Sequence, residues 1–408
     1  MTIRSLVGLL LMVVVPASLF ADDDWKQWGG PNRDFQVRDA DLPEKIELKE
    51  SWRRELGGGY SAVLVEGDRL YTMYRKGDDE FVIAMDRKTG KTVWEKKYSA
   101  PMMKAAETSF GKGPNSTPII TGDRLIAIGF NGDMHCLNKS DGKVLWQKNV
   151  FSDLGGTYVD MGYSQSPIIY KDNLILPIGG KGKGFAGIRV KDGSIAWSNQ
   201  DFKNSYSTPL LVEMDGFDQM IFVMTDQVVS ISPKDGKLFW TFDLKNQWST
   251  HAFVPLWDKK TKTLFISSFR QSHALKLEKK GDKVGYEKIW SIPTSGVGFT
   301  NAVIVDGVVI GSTGGSRSPL VTAIDLSNGK ILWKQRGFGV CNYLAVGNRL
   351  MMLDEKGNLA VAEPSRSSLE IVQKQKVLGA GKVWTVPTLV GREIFVRDQK
   401  EIAGFEIK

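Results

Sequence analysis

The chain has 408 residues, of which 42% are hydrophobic and 25% charged, and its formal net charge is +8. This is the composition of an ordinary folded protein with enough apolar material for a large core. The Lys and Arg residues are scattered, many of them in short Gly-Lys turns, so the basic charge forms no clustered stripe and does not predict a nucleic-acid partner.

The first 21 residues have the pattern of a secretory signal peptide. Arg4 precedes the apolar run LVGLLLMVVV at 6–15, which is too short to span a bilayer. Pro16 ends the run, and Ala21 offers a small-residue cleavage site. We therefore predict a cleaved signal over 1–21 and a periplasmic or secreted protein without a membrane span after cleavage. An uncleaved anchor is the alternative.

A short phrase recurs along the rest of the chain. AMDRKTGKTVW at 84–94 returns at 136–146, 230–240 and 323–333, with a looser copy at 187–197 and a longer one at 275–290. Each copy reads as a β-hairpin, because Asp and Gly favour a tight turn between two strand-forming segments. Each copy ends on a Trp, and a Trp can bury roughly 200 Å², which predicts a repeated interface between units. These residues are Trp94, Trp146, Trp197, Trp240, Trp290 and Trp333.

A second motif alternates with the hairpins and contains two further strands. Its eight copies lie at 60–73, 115–128, 164–177, 206–223, 251–267, 300–312, 341–353 and 384–396. Four strands in every 40 to 50 residues are typical of a propeller blade, in a repeat architecture of the WD40/YVTN-like kind. The sequence therefore predicts an all-β fold, an eight-bladed β-propeller of four-stranded antiparallel blades.

The ends of the chain predict how the ring closes. The eighth blade reaches only its third strand, at 401–407, whereas IELKESWRREL at 46–56 is a strand without a blade and carries Trp52 at the repeat position. We expect this N-terminal strand to complete the last blade, which would leave no open sheet edge. The domains are then a signal at 1–21, an arm at 22–45 and a propeller at 46–408.

Two details of this interpretation concern single residues. The seventh hairpin, AEPSRSSLEIV, has no Trp, and we expect Ile371 or Val372 in its place. The arm contains WKQWGGPNRD, and we expect Trp25 and Trp28 to pack on the propeller body.

The repeated Asp-x-x-Thr-Gly-Lys-x-x-Trp turn resembles that of the PQQ-like (pyrroloquinoline-quinone repeat) β-propellers, over roughly residues 25 to 408. That family includes quinoprotein alcohol dehydrogenases and BamB-like outer-membrane assembly proteins. The resemblance implies either a quinone-dependent enzyme or a non-catalytic scaffold, since both use this fold.

The sequence offers little of the chemistry that such an enzyme requires. The dehydrogenases carry adjacent cysteines, whereas Cys136 and Cys341 are far apart and are expected to be free and buried. His135, His251 and His273 show no metal-ligand spacing. We therefore predict no catalytic, cofactor or metal site. The expected function is an exported, monomeric scaffold that binds a protein or cell-envelope component, and the alternative is a PQQ-dependent quinoprotein dehydrogenase.

Any ligand site is expected where the inner strands begin, around the central funnel. The candidate residues, one from each blade, are Ser61, Asn115, Gln165, Tyr206, His251, Asn301, Asn342 and Trp384. A water-filled funnel lined by polar strand ends is the alternative. Tyr206, His251 and Trp384 are the least usual residue types for strand ends, and we predict that they share one patch on the ring face.

Overall fold

The computed structural model describes residues 24–38, 40, 42–214, 216–248, 250–315, 317–379 and 381–408. The predicted signal peptide at 1–21 lies outside the described residues. Within these ranges the chain forms 33 strands in eight sheets, which confirms the eight-bladed propeller of four-stranded antiparallel blades. No helix in the described ranges is long and apolar enough to span a bilayer.

The first four blades follow one another along the chain, and each runs from the inner to the outer strand. Blade 1 contains β3 Leu64–Glu66, β4 Arg69–Lys76, β5 Asp79–Asp86 and β6 Thr92–Ser99. Blade 2 contains β7 Ile119–Thr121, β8 Arg124–Ile128, β9 Asp133–Asn138 and β10 Val144–Asn149. Blade 3 contains β11 Ile168–Tyr170, β12 Asn173–Pro177, β13 Phe185–Arg189 and β14 Ile195–Asn199. Blade 4 contains β15 Leu210–Val212, β16 Gln219–Val223, β17 Gln227–Ile231 and β18 Leu238–Asp243.

The last four blades keep this order except at the two ends of the chain. Blade 5 contains β19 Leu256–Asp258, β20 Thr263–Ser267, β21 Ser272–Lys280 and β22 Lys283–Ile292. Blade 6 contains β23 Val297–Val305, β24 Val308–Thr313, β25 Leu320–Asp325 and β26 Ile331–Gln335. Blade 7 contains β27 Cys341–Val346, β28 Arg349–Asp354, β29 Asn358–Pro364 and β30 Leu369–Lys376, with β1 Gln36–Val37 added in parallel beside β27. Blade 8 contains β31 Thr388–Val390, β32 Glu393–Arg397, β33 Glu401–Ile407 and β2 Leu48–Glu55.

Burial along the strands follows from their place in the blade. The middle strands are packed between neighbouring blades on both faces, so β4 is buried at six consecutive positions. The outer strand β6 instead alternates between exposed and half-buried residues, as expected of a strand with one face in water. The core is therefore a ring of apolar layers between blades.

A β-bulge marks the same point of the outer strand in all eight blades. In blade 1, Thr92 pairs with Met85 and Trp94 with Ala84, so that Val93 is the extra residue. The same shift recurs in the outer strand pairs of the other seven blades. A bulge bends and twists the edge strand, which discourages pairing with another sheet.

The bulge corrects the expectation for blade 7. There Ile371 pairs with Ala362 and Gln373 with Val361, so the residue at the Trp position is Gln373 and the expectation of Ile371 or Val372 was wrong. The hairpin of blade 7 continues for two further pairs beyond the bulge. Counting residues from the turn therefore gave the wrong position.

The repeated Trp of one blade lies on the turn Gly of the next. Trp94 covers Gly142 so closely that a Cβ atom there would lie 2.6 Å from the Trp94 Cε3 atom. Trp94 Nε1 also donates a hydrogen bond to the Lys139 carbonyl oxygen, at 2.9 Å. The same packing joins Trp52 to Gly90, Trp146 to Gly193, Trp197 to Gly236 and Trp290 to Gly329. The turn Gly thus supplies both a positive φ and the space for the ring.

Two copies depart from this arrangement because the next hairpin differs. The hairpin of blade 5 is longer, and Trp240 instead packs edge-on against Tyr286, with ring centroids 4.9 Å apart. Trp333 keeps the hydrogen bond and donates to the Ser365 carbonyl oxygen of blade 7.

The seam between blades 8 and 1 closes the ring with the same contact. Strand β2 pairs antiparallel with β33, which places Trp52 opposite Gly404 and over Gly90 of blade 1. This pairing confirms closure by the N-terminal strand. Arg397 of blade 8 is fully buried and donates to carbonyl oxygens of blade 1, including Gly57 at 3.0 Å.

The N-terminal arm crosses the ring at the ends of the inner strands. Trp25 is 2% exposed and pairs with Val65 of blade 1, and the Ile120 amide of blade 2 donates to the Lys26 carbonyl oxygen. Further along, Gln36 Nε2 donates to the Ile304 carbonyl oxygen of blade 6 at 3.2 Å, and β1 pairs with blade 7. The arm therefore ties together blades from both sides of the seam.

We predict that Gly142→Ala destabilises the fold more than Gly122→Ala in the same blade. Both glycines have positive φ, but a Cβ at Gly142 would collide with Trp94, whereas Gly122 has nothing within 4 Å. The extra cost should be about 1 to 3 kcal/mol, as for overpacking, and denaturant titration measures it. Equal denaturation midpoints for the two variants would contradict the packing of Trp94 on Gly142.

We also predict that Arg397→Met destabilises the protein by about 3 kcal/mol or more, since each buried carbonyl left without its donor costs about 1 kcal/mol or more. The matched control is Arg336→Met, at an exposed position, which should change the unfolding free energy by less than about 0.5 kcal/mol. Urea unfolding of both variants measures the two changes. An unchanged unfolding midpoint for Arg397→Met would refute the stabilisation of the seam between blades 8 and 1 by Arg397.

Candidate functional site

A large cavity opens at the end of the ring where the inner strands begin. We call it the cup. Its volume is about 1200 Å³. Its wall is built by residues that precede the inner strands, such as Tyr60, Ser164 and Ala252. The arm contacts the opposite ends of the inner strands. The cup and the arm therefore lie at the two ends of the central channel that the inner strands surround.

The structure brings three of the eight candidate residues to the cup wall, namely Asn115, Tyr206 and Trp384. The other five are fully buried beneath it: Ser61, Gln165, His251, Asn301 and Asn342. Tyr206 and Trp384 therefore share a cavity, whereas His251, only 2% exposed, lies behind its wall.

Buried candidates join neighbouring blades. Asn301 of blade 6 donates from Nδ2 to the Tyr343 carbonyl oxygen of blade 7 at 2.7 Å, and its Oδ1 accepts from the Tyr343 amide at 2.9 Å. The amide of His251 lies 2.8 Å from Ser205 Oγ, before the inner strand of blade 4. Polar groups at these positions satisfy the backbone between blades, as buried polar groups must.

Six aromatic side chains form a continuous belt around one side of the cup. Tyr60 stacks on Trp384 with ring centroids 5.4 Å apart, and Phe110 lies 5.8 Å from Trp384. The belt continues through Phe299, Phe269 and Trp248, with centroids 4.3 Å and 4.4 Å apart in the last two contacts. These side chains come from five separate loops and one strand.

Part of the belt faces solvent. Trp248 is 51% exposed, Phe110 42% and Phe299 39%. Most of the other large exposed apolar side chains lie on outer strands near the bulges, for example Val93 and Leu145. The belt is thus a concentration of exposed apolar surface outside the repeat, and such patches mark binding sites.

Another part of the cup wall is polar and acidic. The Tyr206 hydroxyl donates a hydrogen bond to the Asp160 carboxylate, and the Glu107 amide donates one to the Asp160 carbonyl oxygen at 2.8 Å. Glu107 itself accepts from the Ser109 amide at 2.7 Å, and this hydrogen bond lowers the pKa of Glu107. Both carboxylates therefore help to hold the loops of this wall.

Cations line the cup beside the aromatic belt. Arg270 follows Phe269 directly in the chain, and Arg317 and Lys334 come from blade 6. All three side chains are exposed. None of them makes a hydrogen bond or ion pair with another described residue. Their positive charges are therefore available to a ligand.

The cup fits only part of a quinoprotein centre. A bound quinone would need an aromatic floor, cations for its carboxylates and a divalent cation held by oxygen ligands. The belt and the arginines could meet the first two needs. Within the described ranges, however, no group of three or more His, Cys, Asp or Glu side chains could hold a metal ion. Because the described residues of the cup lack such a group of carboxylates, we derive no catalytic step through a quinone.

The cysteines are placed for packing. Cys136 and Cys341 are free and buried, as expected from the sequence. Burial raises the pKa of the Cys136 thiol to about 12 and also raises that of Cys341. Both thiols are therefore protonated and unreactive at neutral pH.

Sequence reasoning missed most of the belt. Phe110, Trp248 and Phe269 lie in loops outside the repeated motifs, and the loops differ in length. The signal that could have found them was a large aromatic residue inside a polar loop at the funnel end of a blade. That such residues from distant parts of the chain form one surface follows only from the ring.

An eight-bladed ring in which a Trp of seven blades packs towards the hairpin of the next blade defines the protein as a PQQ-like β-propeller. The sequence profile described as outer membrane protein assembly factor BamB matches residues 48–241 and 225–407. The chain therefore belongs to this family. No curated protein gives a significant match to the sequence.

Solved structures share the fold. The quinohemoprotein alcohol dehydrogenase from Comamonas testosteroni has a TM-score of 0.70 at 12% identity, over 94% of this chain and 80% of that chain. A second one, ADHIIG from Pseudomonas putida HK5, has a TM-score of 0.57 at 10% identity, with the same coverages. The computationally designed protein Ika8 has a TM-score of 0.57 at 10% identity, over 88% and 99%. At these identities the similarity shows the fold alone.

The buried histidines predict a pH dependence of stability. Burial lowers the pKa of His251 to about 4, below the value of about 6.5 in an unfolded chain. Between these values the unfolded state binds more protons than the folded state, so stability is full above pH 6.5 and falls as the pH decreases. Between pH 7 and pH 4, His251→Gln should lose less unfolding free energy than the wild type, by up to about 3 kcal/mol.

Urea titrations at both pH values measure this difference. Burial also lowers the pKa values of His135 and His273 to about 4, and both residues remain in the variant as an internal control. Equal losses in the two proteins would contradict a neutral, buried His251.

Proposed function

We propose that the protein is an exported, non-catalytic propeller scaffold that binds a protein or cell-envelope component through the cup. The observation that carries this proposal is the aromatic belt, whose rings are exposed at the mouth of a cavity held by rigid strand ends. Aromatic side chains dominate the energetics of protein interfaces. Membership of a family described by outer-membrane assembly and the predicted signal peptide agree with a role in the cell envelope.

The belt favours a partner larger than a cofactor. Small-molecule sites bury most of their ligand in an enclosed cleft of about 300 to 1000 Å³. The cup is larger, at about 1200 Å³, and Trp248 and Phe110 lie half in solvent. Rings in this position can contact a partner that extends beyond the cavity.

A pair of double variants tests the proposal. Phe110→Ser with Trp248→Ser should keep the thermal stability of the wild type, because both side chains are exposed, yet abolish capture of the native partner. The control pair, Val93→Ser with Leu145→Ser, removes comparably exposed apolar side chains on outer strands and should capture normally. Photo-crosslinkers at positions 248 and 145, followed by mass spectrometry of the envelope fraction, provide the readout.

Equal crosslinking from positions 248 and 145, or undiminished capture by the belt variant, would refute the cup as the binding surface. The dehydrogenase alternative has its own assay. Addition of pyrroloquinoline quinone and Ca²⁺ to the purified protein should produce neither cofactor absorbance nor reduction of an artificial dye. Reproducible dye reduction would overturn the non-catalytic assignment.

A further inference from the structure

The charges of the cup are sorted by side. Arg270 follows Phe269 directly in the chain, Arg317 belongs to the same blade as Phe299, and all four residues line the cup. The two acids, Glu107 and Asp160, come from the connections between blades 1, 2 and 3. The free cations are therefore on the side of Phe269 and Phe299, whereas Glu107 lies three residues before Phe110, at the other end of the belt.

The two sides also differ in what their charges already do. Asp160 accepts a hydrogen bond from the Tyr206 hydroxyl, and Glu107 accepts one from the Ser109 amide. Both acids are therefore hydrogen-bonded within the cup wall. Arg270 and Arg317 have no hydrogen-bonding or ionic partner among the described residues. A ligand that enters the cup thus meets unpaired positive charge beside exposed aromatic rings, which selects negative charge combined with apolar groups.

We infer that the cup recognises an extended, acidic polypeptide segment that carries aromatic or large aliphatic side chains. This inference rests on the proposed function and specifies the partner's chemistry. The apolar side chains pack on Phe299, Phe269 and Trp248, and the segment's carboxylates pair with Arg270 and Arg317. Guanidinium groups suit this task because they bind carboxylates in a bidentate manner and remain charged at any physiological pH.

An extended segment fits better than a compact anion for a geometric reason. The belt runs from Tyr60, at the entrance to blade 1, to Trp248, between blades 4 and 5. A row of rings along this arc offers successive subsites to alternate side chains of a strand-like peptide. A compact anion would contact only a part of this arc.

Three labelled probe peptides of equal length test the inference by fluorescence anisotropy. The first alternates Glu with Phe, the second alternates Lys with Phe, and the third alternates Glu with Ser. The Glu–Phe peptide should bind the wild type at least about tenfold more tightly than either of the others, and its affinity should fall with added salt, because exposed ion pairs are screened.

Charge reversal supplies the matched variants. Arg270→Glu with Arg317→Glu should weaken the Glu–Phe peptide about tenfold and strengthen the Lys–Phe peptide. The control, Arg336→Glu, changes an exposed arginine that does not line the cup and should leave both affinities unchanged. Because all three positions are exposed, circular dichroism and melting temperature should be the same in all the proteins.

Equal binding of the Glu–Phe and Lys–Phe peptides, or an unaltered preference after charge reversal, would overturn the inference. Another outcome would also overturn it: no peptide binds, but phosphatidylglycerol vesicles bind tightly and lose this binding on charge reversal. The surface would then bind a membrane. Loss of native capture by the belt variant together with full capture by the charge-reversal variant would leave the proposed function standing and remove this inference alone. Selective binding of the Glu–Phe peptide together with undiminished native capture by the belt variant would remove the proposed function. It would leave standing only the preference of the cup for an acidic, apolar segment.

Discussion

The packing of a Trp ring on the turn Gly of the following blade is the contact on which the ring depends. It imposes two conditions on one residue, since the turn needs a positive φ and the ring leaves no room for a Cβ atom. Only glycine satisfies both at little cost. Because the contact lies at the outer strands, far from the ring axis, it fixes how neighbouring blades are spaced. The seam repeats it with Trp52 and Gly90, so the point of closure resembles the junctions between sequential blades.

Because the Trp–Gly contacts hold the blades together at their outer strands, the residues at the inner strand ends can differ from blade to blade. The blades hold those ends rigidly, and the loops that begin there can vary without disturbing the core, which is where binding residues usually occur. One end of the channel is occupied by the arm, which links blades on both sides of the seam. The other end carries the cup. The arm at one end thus links the blades, and the cup at the other end exposes a surface.

The same ring is found in dehydrogenases and in a designed protein, so the blades say little about function. The features of this chain that bear on function lie in its cup. An aromatic belt adjoins unpaired arginines, and the carboxylates are engaged in the wall. That arrangement offers contact area and positive charge to a ligand.

The sequence by itself determined the fold class, the number of blades and the closing strand, because each blade repeats a local pattern of strand, turn and Trp. It misplaced the Trp equivalent of blade 7, since the extra hairpin pairs that shift the position to Gln373 leave no local signal. It also placed His251 with Tyr206 and Trp384. Position along a strand predicts depth in the ring, but tertiary packing decides whether a side chain faces the cavity or the next blade. Most of the belt was beyond sequence reasoning, because Phe110 meets Phe299 and Trp384, from blades far along the chain, only when the ring closes.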